Sequence, residues 1–120
     1  MLKKVTLDEK FALINSQWDP KIVGELNNQL VKLVKFQGEF VWHKHDNEDE
    51  LFLTIHGTFD MNLRDQIITI DEGEFIIIPR GIEHKPVAKE EVQVLLFEPE
   101  GVVNTGDTES ELTKINLDKI

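Results

Sequence analysis

Between residues 29 and 99 the chain alternates short runs of β-branched and aromatic residues with clusters of turn formers, and this rhythm leaves little choice of fold. Gln29 to Phe36 and Glu39 to His45 mix such residues with polar ones at a period near two, with Gly38 between them. Leu51 to Ile55 reads as a third strand. Phe59 to Leu63 and Ile67 to Ile70 flank Arg64-Asp65-Gln66, which reads as a hairpin turn, and Asp71-Glu72-Gly73 supplies the next turn. Phe75 to Ile78 stops at Pro79-Arg80-Gly81, and Val92 to Phe97 stops at Glu98-Pro99-Glu100-Gly101. Strands recurring at this spacing predict an all-β sandwich or barrel.

The two ends read differently. Thr6-Leu7-Asp8-Glu9 has the form of a capping box and predicts a short helix within residues 6–14, closed by Trp18-Asp19-Pro20. Beyond Gly101 the chain turns polar and acidic, which predicts an ordered turn and then a surface tail. A length of 120 residues with 40% hydrophobic content supplies one core, so residues 1–120 are expected to form a single domain.

Composition excludes several function classes. The chain has no cysteine, so a disulfide framework, a thiolate metal site and a thiol nucleophile are all absent. Any metal must sit on nitrogen and oxygen. The formal net charge of −10 repels a phosphate backbone, so nucleic acid is not an expected partner. The longest apolar run, Phe75 to Pro79, is far short of the eighteen or so residues of a membrane span, so no membrane partner is expected. Met1-Leu2-Lys3-Lys4 turns polar without an apolar signal region, which reads as cytoplasmic.

Three of the four histidines fall where a metal site would need them. Side chains at i and i+2 of a strand share a face, so His43 and His45 form a chelating pair while Trp42 and Lys44 point away. Glu50 follows the polar connection Asp46-Asn47-Glu48-Asp49, and a hairpin of that length can return its carboxylate to the same side. His84, after Pro79-Arg80-Gly81, completes a shell of three imidazoles and one carboxylate if its strand lies nearby. Such a shell suits iron, manganese, nickel, copper or zinc and leaves room for water or substrate.

At these residues the sequence resembles the cupin superfamily. Gly38, His43, His45, Glu50 and Gly57 follow the first cupin motif, with four residues between Gly38 and His43 where five are usual. Gly73, Pro79, Gly81 and His84 follow the second at full spacing, with Ala88 where the family usually has Asn. The resemblance covers about residues 34–98, leaving an N-terminal extension (1–33) and a C-terminal tail (99–120). It implies a double-stranded β-helix, or jelly-roll, barrel that holds one divalent transition metal on His43, His45, Glu50 and His84. Trp42-His43, Asp49-Glu50-Leu51-Phe52 and Asn104-Thr105-Gly106-Asp107 look like small single-domain proteins labelled mannose-6-phosphate isomerase-like.

The spacing to Gly57 selects Glu50 over Glu48 and Asp49, which read as solvated loop charges. His56 reads as an exposed turn residue, and Trp18 and Trp42 as core or interface. Arg64 and Arg80 fall in turns, where an exposed charge is the default, and no EF-hand spacing supports calcium on the acidic clusters. The function expected is action on a small molecule, as a metal-dependent enzyme of sugar-phosphate isomerase-like or dioxygenase type. The alternative is a non-catalytic barrel that binds a metal or small molecule, because no general base is evident beyond the ligands. Catalytic and substrate-binding residues are not identified. With Glu50 inward, Phe52 and Thr54 share its face and Leu51, Leu53 and Ile55 project outward. Three branched aliphatics on an outer face call for cover by another layer, by the N-terminal segment or by a second subunit, and the resemblance implies a homodimer.

Overall fold

The computed structural model describes residues 2–120, so Met1 of the polar N-terminal reading lies outside the described residues. One short helix, α1 (Leu7–Phe11), precedes the strands β1 (Lys21–Leu26), β2 (Gln29–Glu39), β3 (Glu50–His56), β4 (Thr58–Leu63), β5 (Ile67–Asp71), β6 (Phe75–Ile78) and β7 (His84–Pro99). All the strand pairs are antiparallel, in the order β1-β2-β7-β3-β6, with β4 bonded to β7 and to β5. The all-β expectation holds.

At 16 residues β7 is the spine of the barrel. Its first part pairs with β4, from Leu63↔His84 to Asp60↔Val87. Its second part runs between β2 and β3, where Val94 faces Val34 on one side and Thr54 on the other. Exposed Lys89, Glu90 and Glu91 join the two parts, and opposite them β2 slips register between Phe36 and Gly38. Gly38 takes φ +89 there, a conformation that costs an L side chain and suits glycine.

Alternation places the core. Glu50, Phe52 and Thr54 of β3 are buried while Leu51, Leu53 and Ile55 are half-buried on the outer face. The inward set joins Phe36, Phe59, Met61, Val92, Val94 and Leu96 in the main core, where each large side chain contributes about 1.5–3 kcal/mol. On the outer face Phe11, Ile14 and Leu33 form a second cluster that takes in Ile55, Leu95 and Ile120, so the N-terminal segment, one of the three covers considered, lies over part of it. Phe75 and Ile77 of β6, paired with Leu53 and Leu51, stay 61% and 51% exposed.

Three local expectations differ. Glu39 to His45 is not a strand: β2 runs through Gly38 to Glu39, and beyond it only the bridge His43↔His84 forms. Phe40 donates to the Pro86 carbonyl at 3.0 Å, but proline has no N–H to return the bond, so a ladder cannot build. Thr6 does stand at the N-cap of α1, yet its side chain makes no capping hydrogen bond, and the helix ends at Phe11. The C-terminal segment makes the expected turn, at residues 104–107, but it and the surface tail after it are tied into the fold more closely than composition suggests. Val102 and Thr105 are buried, Thr108 Oγ1 donates to the Trp42 carbonyl at 2.9 Å, and Ile120 N donates to Ile22 O at 3.0 Å.

Candidate metal centre

His43, His45, Glu50 and His84 are all buried, and one ligand atom from each lies within 4.8 Å of the others. These are the four predicted positions, brought together from the 40–49 connection, the start of β3 and the start of β7. His43 and His84 exchange backbone hydrogen bonds at 3.1 and 2.9 Å, which sets their rings side by side. Gly81 N donates to His45 O at 2.8 Å and so ties the second histidine to the turn before His84. Arg80 N donates to Asp49 Oδ1 at 2.9 Å, fixing the connection that delivers Glu50.

The ring orientations follow from the hydrogen bonds. His43 Nδ1–H donates to the Val41 carbonyl at 2.8 Å and His84 Nδ1–H to the Ile82 carbonyl at 2.9 Å. A carbonyl only accepts, so both Nδ1 atoms carry the proton and both Nε2 atoms are left as ligands. Glu50 Oε1 lies 3.4 Å from His45 Nε2 and 3.5 Å from His84 Nε2. These three atoms are buried and have no hydrogen-bond partner of their own. Orphaned donors converging at this separation fit one ion with bonds of about 2.0–2.2 Å, so the cluster could hold a metal.

Electrostatics separate the histidines. Burial, with His84 adding a like charge, pushes His43 down to about 4, so it is neutral at pH 7 and ready to coordinate. Burial also works against a charge on His45, but the Glu50 carboxylate beside it outweighs burial and raises it above the ordinary value. For Glu50 burial acts upward, yet the neighbouring Glu98, His45 and His84 side chains prevail and hold it well below the carboxylate range. Glu98 goes the other way: burial and the neighbouring Glu50 charge push it well above that range, with Lys32 only partly offsetting them.

A cavity of about 40 Å³ opens beside His43 and Glu50, lined mostly by aromatic and aliphatic side chains, among them Trp18, Phe36, Phe40 and Phe52, and by Asn104. Trp18 stacks on Phe36 at 4.4 Å and on Phe40 at 4.6 Å, so it belongs to the core. Asn104 and Gly106 come from the C-terminal segment, which crosses the centre. A Cβ on Gly106 would lie 2.2 Å from Lys44 O and 3.2 Å from His43 Cδ2.

The remaining candidates stay outside. Asp49 is exposed and Glu48 half-buried, and neither joins the cluster. Exposed His56 pairs with Glu72 at 2.8 Å and Asp8 at 3.3 Å, tying α1 to the end of β3. Trp42 is half-buried under the Arg64 guanidinium, 3.9 Å from its ring, and Arg64 and Arg80 pair with Glu83 and Asp49 at the surface. Two residues escaped the sequence reading: Lys32 and Glu98 are each 2% exposed and paired at 2.7 Å. Period-two alternation carried it, since Lys32 shares a face with Val34 and Phe36, and Glu98 with Val92, Val94 and Leu96.

A family model described as Cupin domain matches residues 30–99. The Bacillus subtilis (strain 168) protein named Uncharacterized protein YdbB is 31% identical over 64 residues, or 52% of this chain and 57% of that protein. The chain thus matches little more than half the length of that relative. Among solved structures, a cupin-2 domain containing protein from Shewanella frigidimarina superposes with a TM-score of 0.79 at 46% identity, covering 80% of this chain and 94% of that one. Protein NMB1881 from Neisseria meningitidis superposes with a TM-score of 0.75 at 26% identity, covering 82% and 100%. Among the described residues no helix is long and apolar enough to cross a membrane.

Proposed function

Because the chain belongs to the cupin family, we propose that it acts on a small, largely apolar molecule next to one divalent transition ion held by His43, His45, Glu50 and His84. The observation that carries this reading is the adjacency of partnerless, buried Nε2 and Oε1 atoms to an aromatic-lined cavity. A donor set of three imidazoles and a carboxylate suits iron, manganese, nickel, copper or zinc. When bound, such an ion supplies Lewis acidity and, as iron, access to dioxygen chemistry. The chain's own residues do the rest. The Val41 and Ile82 carbonyls orient two imidazoles, Phe40 and Phe52 pack edge-on against the His43 and His84 rings, and Trp18 and Phe36 exclude water from the ligand side.

The cavity favours oxygenase-type chemistry over a mannose-6-phosphate isomerase-like reaction. Its lining is mostly aromatic and aliphatic, and no Lys or Arg side chain stands in it to receive a phosphate. Lys32 is committed to Glu98, and Arg64 and Arg80 face solvent. One observation favours a second reading, a non-catalytic binding barrel: His43 and Glu50 are the only titratable residues in the cavity lining. We also infer that the outer face of β3 and β6 pairs with a second copy of the chain, since Phe75 and Ile77 extend the apolar strip of Leu51 and Leu53.

Elemental analysis of protein purified without added metal, followed by oxygen uptake of the loaded protein with enolic and phenolic compounds and a parallel screen of sugar phosphates, tests the reading. Chelator-sensitive oxygen uptake is expected. Turnover of a sugar phosphate instead moves the assignment to an isomerase, and ligand binding without turnover supports the second reading. Protein that neither retains nor takes up a transition metal refutes both.

A further inference from the structure

Beside Glu50 lies a buried Lys32–Glu98 pair on faces otherwise occupied by apolar side chains of the core. Lys32 projects from the inward face of β2 and Glu98 from that of β7, and Lys32 Nζ donates to Glu98 Oε1 at 2.7 Å with both side chains 2% exposed. Such a pair is poor value as a stabiliser, because desolvation of two charges offsets most of their attraction and apolar residues of similar volume do as well. Its placement suggests another use. The pairing Leu51↔Phe97 sets Glu50 and Glu98 side by side at the next inward position of β3 and β7. Both side chains are buried there, and neither Glu98 Oε2 nor Glu50 Oε1 has a hydrogen-bond partner.

We propose that Glu98, anchored by Lys32, is a positioning residue that holds the Glu50 carboxyl so that Oε1 faces the Nε2 atoms of His45 and His84. The inference rests on the metal reading above. Groups that orient a ligating carboxylate typically change metal affinity by about 10–100-fold when removed. An apolar side chain at position 98 would leave one side of Glu50 unheld.

Cobalt(II) is the probe, with its affinity measured by chelator competition and its geometry by visible absorption. The double variant Lys32→Met/Glu98→Leu removes both charges and keeps the volume, so it is expected to fold while binding cobalt about 10–100-fold more weakly, with a shifted absorption band. Glu98→Gln keeps an oxygen for Lys32 and a side chain of the same length and shape beside Glu50, and it is expected to retain near wild-type affinity and spectrum. Lys32→Met alone, which leaves Glu98 without its anchor, serves if the double variant does not fold, and it is expected to shift the band with a smaller loss of affinity. A double variant or Lys32→Met protein with unchanged affinity and spectrum overturns the inference and leaves the metal reading standing. Wild-type protein that binds no cobalt overturns both.

Discussion

Gly106→Ala tests how the C-terminal segment is seated over the centre. Asp107 N donates to Lys44 O at 3.1 Å and Lys44 N to Asp107 Oδ1 at 3.0 Å, which draws the backbone of Gly106 onto the link between His43 and His45. A Cβ at position 106 would lie 2.2 Å from Lys44 O and 3.0 Å from Lys44 C. An ordinary carbon–oxygen contact is about 3.3–3.6 Å, so the overlap exceeds about 1 Å against backbone that has no rotamer with which to escape. Overpacking of this kind costs about 1–3 kcal/mol. The residue also has φ +58, where an L side chain adds about 1–2 kcal/mol. The expected loss is therefore about 2–5 kcal/mol.

The control lies in the same segment. Gly101 has φ +88, but no atom stands within 4 Å of the Cβ it would carry, so Gly101→Ala bears the backbone cost alone, about 1–2 kcal/mol. Urea unfolding followed by tryptophan fluorescence gives both values, and the difference between them isolates the steric part. The Gly106→Ala protein should also bind cobalt more weakly, because the displaced segment presses on the His43 ring. A loss at position 106 no larger than that at position 101 would refute the close approach and, with it, the seating of the segment on the centre.

Replacing His43, His45 or His84 by Ala should each lower metal content sharply, and Glu50→Ala should lower it more than Glu48→Ala, all read by elemental analysis; full stoichiometry in two of the three histidine variants would remove the proposed site. Cobalt affinity should rise with pH beyond the ordinary histidine range, because the raised pKa of His45 means that the ion must displace a proton there; affinity independent of pH from about 5 to 7 would exclude histidine ligation. In metal-free protein His43 titrates at about 4 when folded and near 6.5 when unfolded, so the unfolded chain takes up the proton first as pH falls. His43 therefore withdraws about 3 kcal/mol of stability between pH 6.5 and 4, and His43→Asn should flatten the urea midpoint over that window relative to wild type. Phe75→Glu, at a position 61% exposed in the single chain, should leave the fold intact and halve the mass measured by light scattering; an unchanged mass would exclude that face as the contact between copies.

Much of this molecule is legible in its sequence, for reasons that can be traced to particular residues. The β4–β5 hairpin around Arg64-Asp65-Gln66 and the inward set of β3 follow from local alternation and turn chemistry, both short-range properties. The four candidate ligands could be picked out because motif spacing encodes which strands meet. Two features escaped because they depend on contacts distant in sequence. The C-terminal segment is polar by composition, yet Thr105 is fully buried because its hydroxyl meets that of Thr113 at 2.7 Å, a partner that polarity alone does not reveal. Lys32 and Glu98 were legible one strand at a time as charges on an apolar face, but their pairing required the β2–β7 register, in which Leu30 faces Glu98 and Lys32 faces Leu96.

The expectation that fails most plainly, a regular strand from Glu39 to His45, also shows how the centre is held ready. In an uninterrupted ladder, backbone carbonyls are taken up by the neighbouring strand's N–H groups. Pro86 has no N–H to offer the segment before His43, and the Val41 carbonyl accepts from His43 Nδ1 instead. His84 repeats the device two residues after Ile82, whose carbonyl lies in the turn before β7. In both cases a carbonyl two residues upstream fixes the tautomer, so each Nε2 faces inward without any contribution from an ion. The break in regular structure is therefore a condition of the site. A regular strand would have aimed the Val41 carbonyl at a neighbouring strand's N–H rather than at the His43 ring.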